Sequence, residues 1–267
     1  MASANRTTTT KRAPMDSMRK TALAAGVLYL LTFLSIPRLA LFGPILDNPN
    51  YILGAASDTG VLVGVILEMI VALAIVGTGV ALFPVLKRQN EGIALGFVSA
   101  RLFETGVIVV GIISLLTVVT LRQDVGVVAG ADAAALVTTG HALVAIQNWT
   151  FLIAQTLLPG INAILLGYLM YRSRLVPRII PLVGLVGAPL IISSVIGQMF
   201  GVNEPISVWS GIAVLPIALW EFALGIWLVV KGFNRSAPLM SGHAAEAGGV
   251  AVDTGPVGPR TLVPTRG

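Results

Sequence analysis

TGVLVGVILEMIVALAIVGTGVALFPVL occupies residues 59–86 and is an almost uninterrupted apolar run. Glu68 is its only ionisable residue, and almost every other side chain is apolar or small. About 20 apolar residues in an α-helix cross the ~30 Å hydrocarbon core of a bilayer. The stretch therefore predicts a transmembrane helix.

Five further apolar runs have the same character, and they cover residues 21–42, 91–121, 147–171, 179–200 and 207–230. Across the 267 residues, 55% are hydrophobic and only 11% are charged. Soluble domains carry about 25% charged residues, so this composition excludes a soluble globular enzyme and a disordered protein. The sequence predicts an all-α polytopic membrane protein, a bundle of six transmembrane helices.

The chain divides into three segments of different composition. Residues 1–20 are polar and basic, residues 21–232 hold the six apolar runs, and residues 233–267 are rich in Gly, Ala and Pro. A segment so poor in large apolar residues cannot bury a core, so we expect the last one to be a disordered tail. Three residues are placed to cap helix starts, namely Asp58, Asn90 and Asp132.

The basic residues predict the orientation. Of the 17 Lys and Arg residues, we assign fourteen to the N-terminal segment, the second and fourth loops and the C-terminal segment. These regions all lie on one side of a six-span protein. The positive-inside rule then predicts that both termini are cytoplasmic. The basic residues behind the net charge of +5 stand mostly in short segments between the apolar runs, which is typical of membrane topology. We therefore expect no nucleic-acid partner.

Composition also limits the chemistry. Cysteine is absent and there are two histidines, His141 and His243, which argues against thiolate, two-histidine metal and bis-histidine haem sites. The chain has no G-x-S-x-G, H-E-x-x-H or phosphate-binding glycine motif. We therefore predict no catalytic residues, no cofactor and no metal, and we do not expect an enzyme.

Ionisable residues inside the spans are the strongest candidates for a functional site. They are Glu68, Arg101, Glu104 and Glu221. A charge at the bilayer centre costs at least ~2.5–3.5 kcal/mol, so these side chains should face the bundle interior and find partners. Arg101 and Glu104 are three residues apart on one helix and can pair. Arg101 is also expected to reach Glu68 or Glu221. Two interpretations remain open: a substrate, proton or ion site, and a structural charge network.

The fourth run and the segment before it carry a polar stripe with seven-residue spacing, formed by His141, Asn148, Gln155 and Asn162. Seven residues make nearly two helical turns, so the four side chains lie along one side of a helix. Such a stripe is typical of a polar cavity wall or of interhelical hydrogen bonds.

Two segments carry a resemblance to a known family: KRQNEGIALGFVSARLFE (87–104) and GINAILLGYLMYRSRLVPRIIPLVGLVGAPL (160–190). They resemble the bacterial multi-pass family called domain of unknown function 4386, over roughly residues 18–233. The resemblance implies a six-helix protein of the bacterial inner membrane. It brings no activity, so it assigns no role to any residue.

Three functions fit these features. The first is a small-solute transporter coupled to protons or cations through the mid-membrane carboxylates. The second is a non-catalytic scaffold, assembly partner or sensor with structural charges. The third, an intramembrane enzyme acting on a lipid or quinone, is the weakest. The expected partners are the lipid bilayer and an unknown small solute or cation.

Overall fold

The structure is a computed structural model that describes residues 17–54, 57–125 and 132–238. Within these ranges the regular elements are all helices. The eight α-helices are α1 (Ser17–Leu31), α2 (Ser35–Leu46), α3 (Thr59–Leu86), α4 (Glu91–Val125), α5 (Ala133–Phe151), α6 (Leu158–Ser173), α7 (Ile179–Met199) and α8 (Val208–Val230). The predicted disordered tail falls mostly outside the described residues, as does most of the N-terminal segment.

These helices make six segments that are long and apolar enough to cross a membrane. The helices α1 and α2 form one segment, joined by a short 3-10 turn, and α5 and α6 form another. The predicted all-α, six-span membrane fold is confirmed. The fourth span is longer than the sequence predicted, because Asp132 accepts hydrogen bonds from the amides of Ala134 and Ala135 and starts the helix at Ala133.

The spans pack as a closed ring. Each of α1, α3, α4, α6, α7 and α8 contacts the next in that order, and α8 returns to α1. The ring closes at a very close approach, where a Cβ on Gly26 of α1 would lie 2.8 Å from the carbonyl oxygen of Gly225 in α8. Side chains that point inward from α1, α4, α6 and α8 can therefore meet at the centre of the bundle.

The fourth span contains a π-helix, Leu152–Leu157, between α5 and α6. A π-helix widens the turn by one residue, and such turns are frequent at functional sites. By contrast, α7 and α8 continue as α-helices through Pro189 and Pro216. Of the five spans that follow the first, the one that carries the polar stripe therefore contains the main departure from α-helical geometry.

The two ends of the bundle differ in charge. One end, called here the basic end, carries residues that include Arg19, Lys87, Arg172 and Lys231. At the opposite, far end, Asp58 does not cap α3 as its position predicted, since its side chain makes no cap hydrogen bond. Its carboxylate instead accepts from Tyr51 and Arg122. Asn90 caps α4 by accepting from the amide of Ile93.

Candidate functional site

Five polar side chains from four helices meet at the centre of the ring. This central cluster consists of Tyr29 on α1, Arg101 and Glu104 on α4, Asn162 on α6 and Glu221 on α8. Counting about 1.5 Å per residue from the basic end, these residues lie about 14–20 Å along their helices. That height is close to the middle of a ~30 Å hydrocarbon core.

Arg101 is the hub of the central cluster. Its Nη1 lies 3.1 Å from Oε2 of Glu104, and its Nη2 donates to the Tyr29 hydroxyl at 2.8 Å and to Oε1 of Glu221 at 3.4 Å. Asn162 donates to Oε2 of Glu104 at 2.7 Å. The guanidinium also lies 5.1 Å from the centre of the Tyr29 ring. A planar guanidinium with several N–H donors is suited to serving two carboxylates at once.

The central cluster has an unequal charge balance, because one guanidinium faces two carboxylates. Arg101 and Glu104 are each 2% exposed, whereas the Glu221 side chain is 15% exposed. Two buried polar atoms, Arg101 Nε and Asn162 Oδ1, have no hydrogen-bond partner among the described residues. The cluster thus holds one formal negative charge in excess and unused hydrogen-bonding capacity beside it.

A second, separate cluster contains Arg38 on α2, Glu68 on α3 and Gln155 in the π-helix. Arg38 Nε lies 2.5 Å from Glu68 Oε2, and Arg38 Nη2 donates to Gln155 Oε1 at 2.5 Å. Gln155 donates in turn to Glu68. Phe42 and Phe151 lie beside the guanidinium, with ring centres 5.6 and 4.9 Å from its central carbon. This Arg38 cluster is buried and its formal charges cancel.

The four ionisable residues singled out in the sequence are thus divided between two places. The structure brings Arg101, Glu104 and Glu221 together and places Glu68 with Arg38. Arg38 was not predicted as a partner of Glu68, because it stands near the end of the predicted first span. The signal that could have identified it is its position in an apolar run that continues to Leu46. Tyr29 carried no signal, because a tyrosine in a membrane helix is unremarkable.

The polar stripe of the fourth span connects these places. Asn162 belongs to the central cluster, and Gln155 belongs to the Arg38 cluster, which lies about 27–31 Å from the basic end by the same count. His141 and Asn148 line a cavity of about 180 Å³ that lies farther out, between α2, α4 and α5. The stripe therefore passes from this far-end pocket through both charged clusters to the middle of the bundle.

The rim of the far end is fixed by an ion pair between Arg122 on α4 and Asp58 at the start of α3. The Tyr51 hydroxyl donates to Asp58 at 2.8 Å and accepts from Arg122 at 3.2 Å. Burial, followed by its hydrogen bond to Asp58, raises the pKa of Tyr51 to about 12. This phenol therefore stays protonated at neutral pH and holds the loop before α3 against α4.

The family comparison agrees with the fold. A family described as "Domain of unknown function (DUF4386)" matches residues 24–232, which covers most of the chain and all six spans. The chain belongs to this family of unknown function. No curated protein and no solved structure matches it.

Proposed function

We propose that this protein is a proton-coupled transporter of a small solute, and that the central cluster is its proton-binding site. The observation that carries the proposal is the charge imbalance around Arg101, which forms ion pairs with both Glu104 and Glu221. Two ionised carboxylates beside one cation leave a buried negative charge, which is costly in a medium of low dielectric constant. A proton on one carboxyl removes that cost without needing a cavity.

Glu221 is the residue that we expect to exchange the proton. Glu104 is 2% exposed and is held by both Arg101 and Asn162. Glu221 has a longer 3.4 Å contact with Arg101 and a side chain that is 15% exposed. A carboxyl with fewer donors and more access to its surroundings gains a proton more readily, because less of its ionised form is stabilised by hydrogen bonds.

The polar stripe supports a path to this site. In order from the far end, its members line the pocket, contact the Arg38 cluster and contact Glu104. The π-helix directs Gln155 toward Arg38 and Glu68 within an otherwise α-helical span. Polar side chains at every stage could hold water molecules or a polar solute group during passage.

We further propose that the protein lies in a bacterial inner membrane with its basic end in the cytoplasm. The support is the accumulation of Lys and Arg at that end, which follows the positive-inside rule. The far-end pocket then faces the side of the membrane opposite to the cytoplasm, and the proton-binding site lies between the pocket and the cytoplasm.

A non-catalytic scaffold is the second candidate, and the Arg38 cluster favours it. Its charges cancel, Arg38 and Glu68 form a buried ion pair, and two aromatic rings lie beside the guanidinium. A neutral buried pair of this kind can fix how helices pack without binding anything. If the central cluster has the same role, no proton moves through it.

The two candidates are distinguished by proton flux in reconstituted vesicles that contain a pH-sensitive dye. A panel of small neutral solutes is added outside under an imposed pH gradient. Coupled transport predicts that at least one solute changes the internal pH, that Glu221→Gln abolishes the change and that Glu91→Gln, at the exposed start of α4, retains it. If the folded parent protein shows no solute-dependent flux, the coupling proposal is overturned and the scaffold remains.

A further inference from the structure

The far-end pocket lies where a solute would first meet the protein. Its cavity of about 180 Å³ is lined by residues of α2, α4 and α5 and of the loop between α2 and α3. Counting about 1.5 Å per residue, Asn148, Ile45 and Val118 stand about 37–42 Å from the basic end, and His141 stands still farther out. A ~30 Å hydrocarbon core ends below this height, so the pocket lies in the interfacial region.

Two exposed polar side chains in the wall make no side-chain hydrogen bond within the described part of the chain. His141 and Asn148 line the pocket, and neither side chain has a hydrogen-bond partner among the described residues. Both belong to the face of the fourth span whose inner members, Gln155 and Asn162, hydrogen-bond to side chains of the two charged clusters. The outer half of the stripe is therefore available to a ligand.

The rest of the wall specifies what kind of ligand fits. Apolar side chains from three directions dominate the wall, and they include Ile45, Ile52, Val118 and Val144. Among the described residues that line it there is no carboxylate, lysine or arginine. The nearby Arg122 is paired with Asp58 at the rim. A cavity of about 150 Å³ lined by apolar side chains holds one benzene ring, so this volume suits a single ring that carries a polar group.

We propose that the far-end pocket binds a small neutral aromatic compound of the phenol class. The ring packs against the apolar wall, and the hydroxyl group bonds to His141, whose imidazole can donate or accept. Asn148 lies about 10 Å away along the helix axis and meets a polar substituent at the opposite end of the ring. This inference rests on the proposed function only in taking the bound compound to be the transported solute; binding itself requires no proton movement.

The test is equilibrium binding of 4-fluorophenol to the full chain in lipid nanodiscs. Fluorine NMR at fixed pH measures the binding. Partition into lipid does not saturate, whereas occupation of the pocket does. Fluorobenzene, which lacks the hydroxyl, is the control compound. Thr139→Leu is the control variant, because Thr139 is an exposed polar residue of α5 outside the pocket lining.

We expect saturable binding of 4-fluorophenol to the parent protein and to Thr139→Leu. His141→Leu should weaken it by up to about tenfold, the effect of one lost hydrogen bond. Gly140→Leu provides a second variant that fills the pocket from the same helix and should abolish saturation. Equal saturable binding of fluorobenzene, or unchanged binding in both pocket variants, would overturn the proposal.

The same variants, measured for binding in nanodiscs and for proton flux in vesicles, separate this inference from the proposed function. Glu221→Gln should bind 4-fluorophenol normally, because Glu221 does not line the pocket. Saturable binding without solute-dependent proton flux would leave the pocket in place and remove the coupling. Solute-dependent proton flux without saturable binding of 4-fluorophenol would support the coupling and overturn the proposed pocket ligand.

Discussion

Arg101 and Arg38 are both buried arginines, yet their surroundings give them different charge balances. Arg38 has one carboxylate partner, Glu68, whereas Arg101 has two, Glu104 and Glu221. Removing a carboxylate therefore has opposite effects on formal charge at the two places. It leaves Arg38 as an unpaired buried cation, but it makes the Arg101 cluster neutral.

This difference predicts the effect of two matched substitutions on stability. Glu68→Gln should lower the free energy of unfolding by ~3–5 kcal/mol, the usual cost of breaking a buried ion pair. Glu221→Gln should cost about 1 kcal/mol or less, because Arg101 keeps Glu104 and Tyr29 as partners. Thermal or denaturant unfolding in detergent checks the order. Equal losses in the two variants would contradict the assignment of charges.

The hydrogen bond of Asn162 allows a further prediction about a single side chain. Its side chain is 2% exposed and donates to Glu104 at 2.7 Å. Asn162→Leu should therefore destabilise the protein by about 0.6–1.7 kcal/mol, the range for hydrogen bonds between membrane helices. Asn148→Leu is the matched change on the same stripe, where no described partner is lost. A neutral or stabilising effect of Asn162→Leu would show that its hydrogen bond is not formed.

The individual contacts were only partly predictable from the sequence. The pairing of Arg101 with Glu104 follows from three-residue spacing on one helix, a local property. The contact of Arg101 with Glu221 and that of Arg38 with Glu68 depend on which spans are neighbours in the ring. A single sequence does not specify that order, so Glu68 and Glu221 remained equal alternatives.

Among the elements, α1 and α8 approach each other closely at Gly26 and Gly225. A Cβ on Gly26 would lie 2.8 Å from both the carbonyl oxygen of Gly225 and the amide nitrogen of Val229. Backbone atoms cannot rotate away, so Gly26→Ala should cost about 1–3 kcal/mol through overpacking.

Gly106→Ala is the matched control for this substitution. A Cβ at Gly106, in α4, meets nothing within 4 Å. This change should be neutral or stabilise the protein by up to about 1 kcal/mol, because alanine has the higher helix propensity. Unfolding of the two variants side by side checks the pair. Equal free energies of unfolding in the two variants would show that α1 and α8 do not approach each other this closely.

The bounds of a helix were predictable where the length of an apolar run determines them. For α3 the predicted and observed bounds coincide. The π-helix was not predictable, since Leu152–Leu157 has an ordinary membrane composition. Its geometry depends on tertiary contacts, among them those of Gln155 with Arg38 and Glu68. The start of the fourth span at Ala133 was suggested by the cap at Asp132 but not by hydropathy.

For the whole molecule, the orientation in the membrane is the property that fusion proteins test. Alkaline phosphatase is active only outside the cytoplasm. A fusion after Gln123, at the far end of α4, should be active, and a fusion after Arg88, between α3 and α4, should be inactive. The reason is the accumulation of basic residues at the end that includes Lys87 and Arg88. The reverse pattern would place the far-end pocket in the cytoplasm.

The central claim is that the two carboxyls beside Arg101 share one exchangeable proton. Infrared difference spectroscopy of the protein in lipid tests it most directly, through the carbonyl stretch of a protonated carboxylic acid. We expect such a band at neutral pH in the parent protein and in Glu204→Gln, which alters an exposed loop residue. We expect the band to be lost in Glu221→Gln. A folded parent protein without the band, or an unchanged band in Glu221→Gln, would contradict the claim.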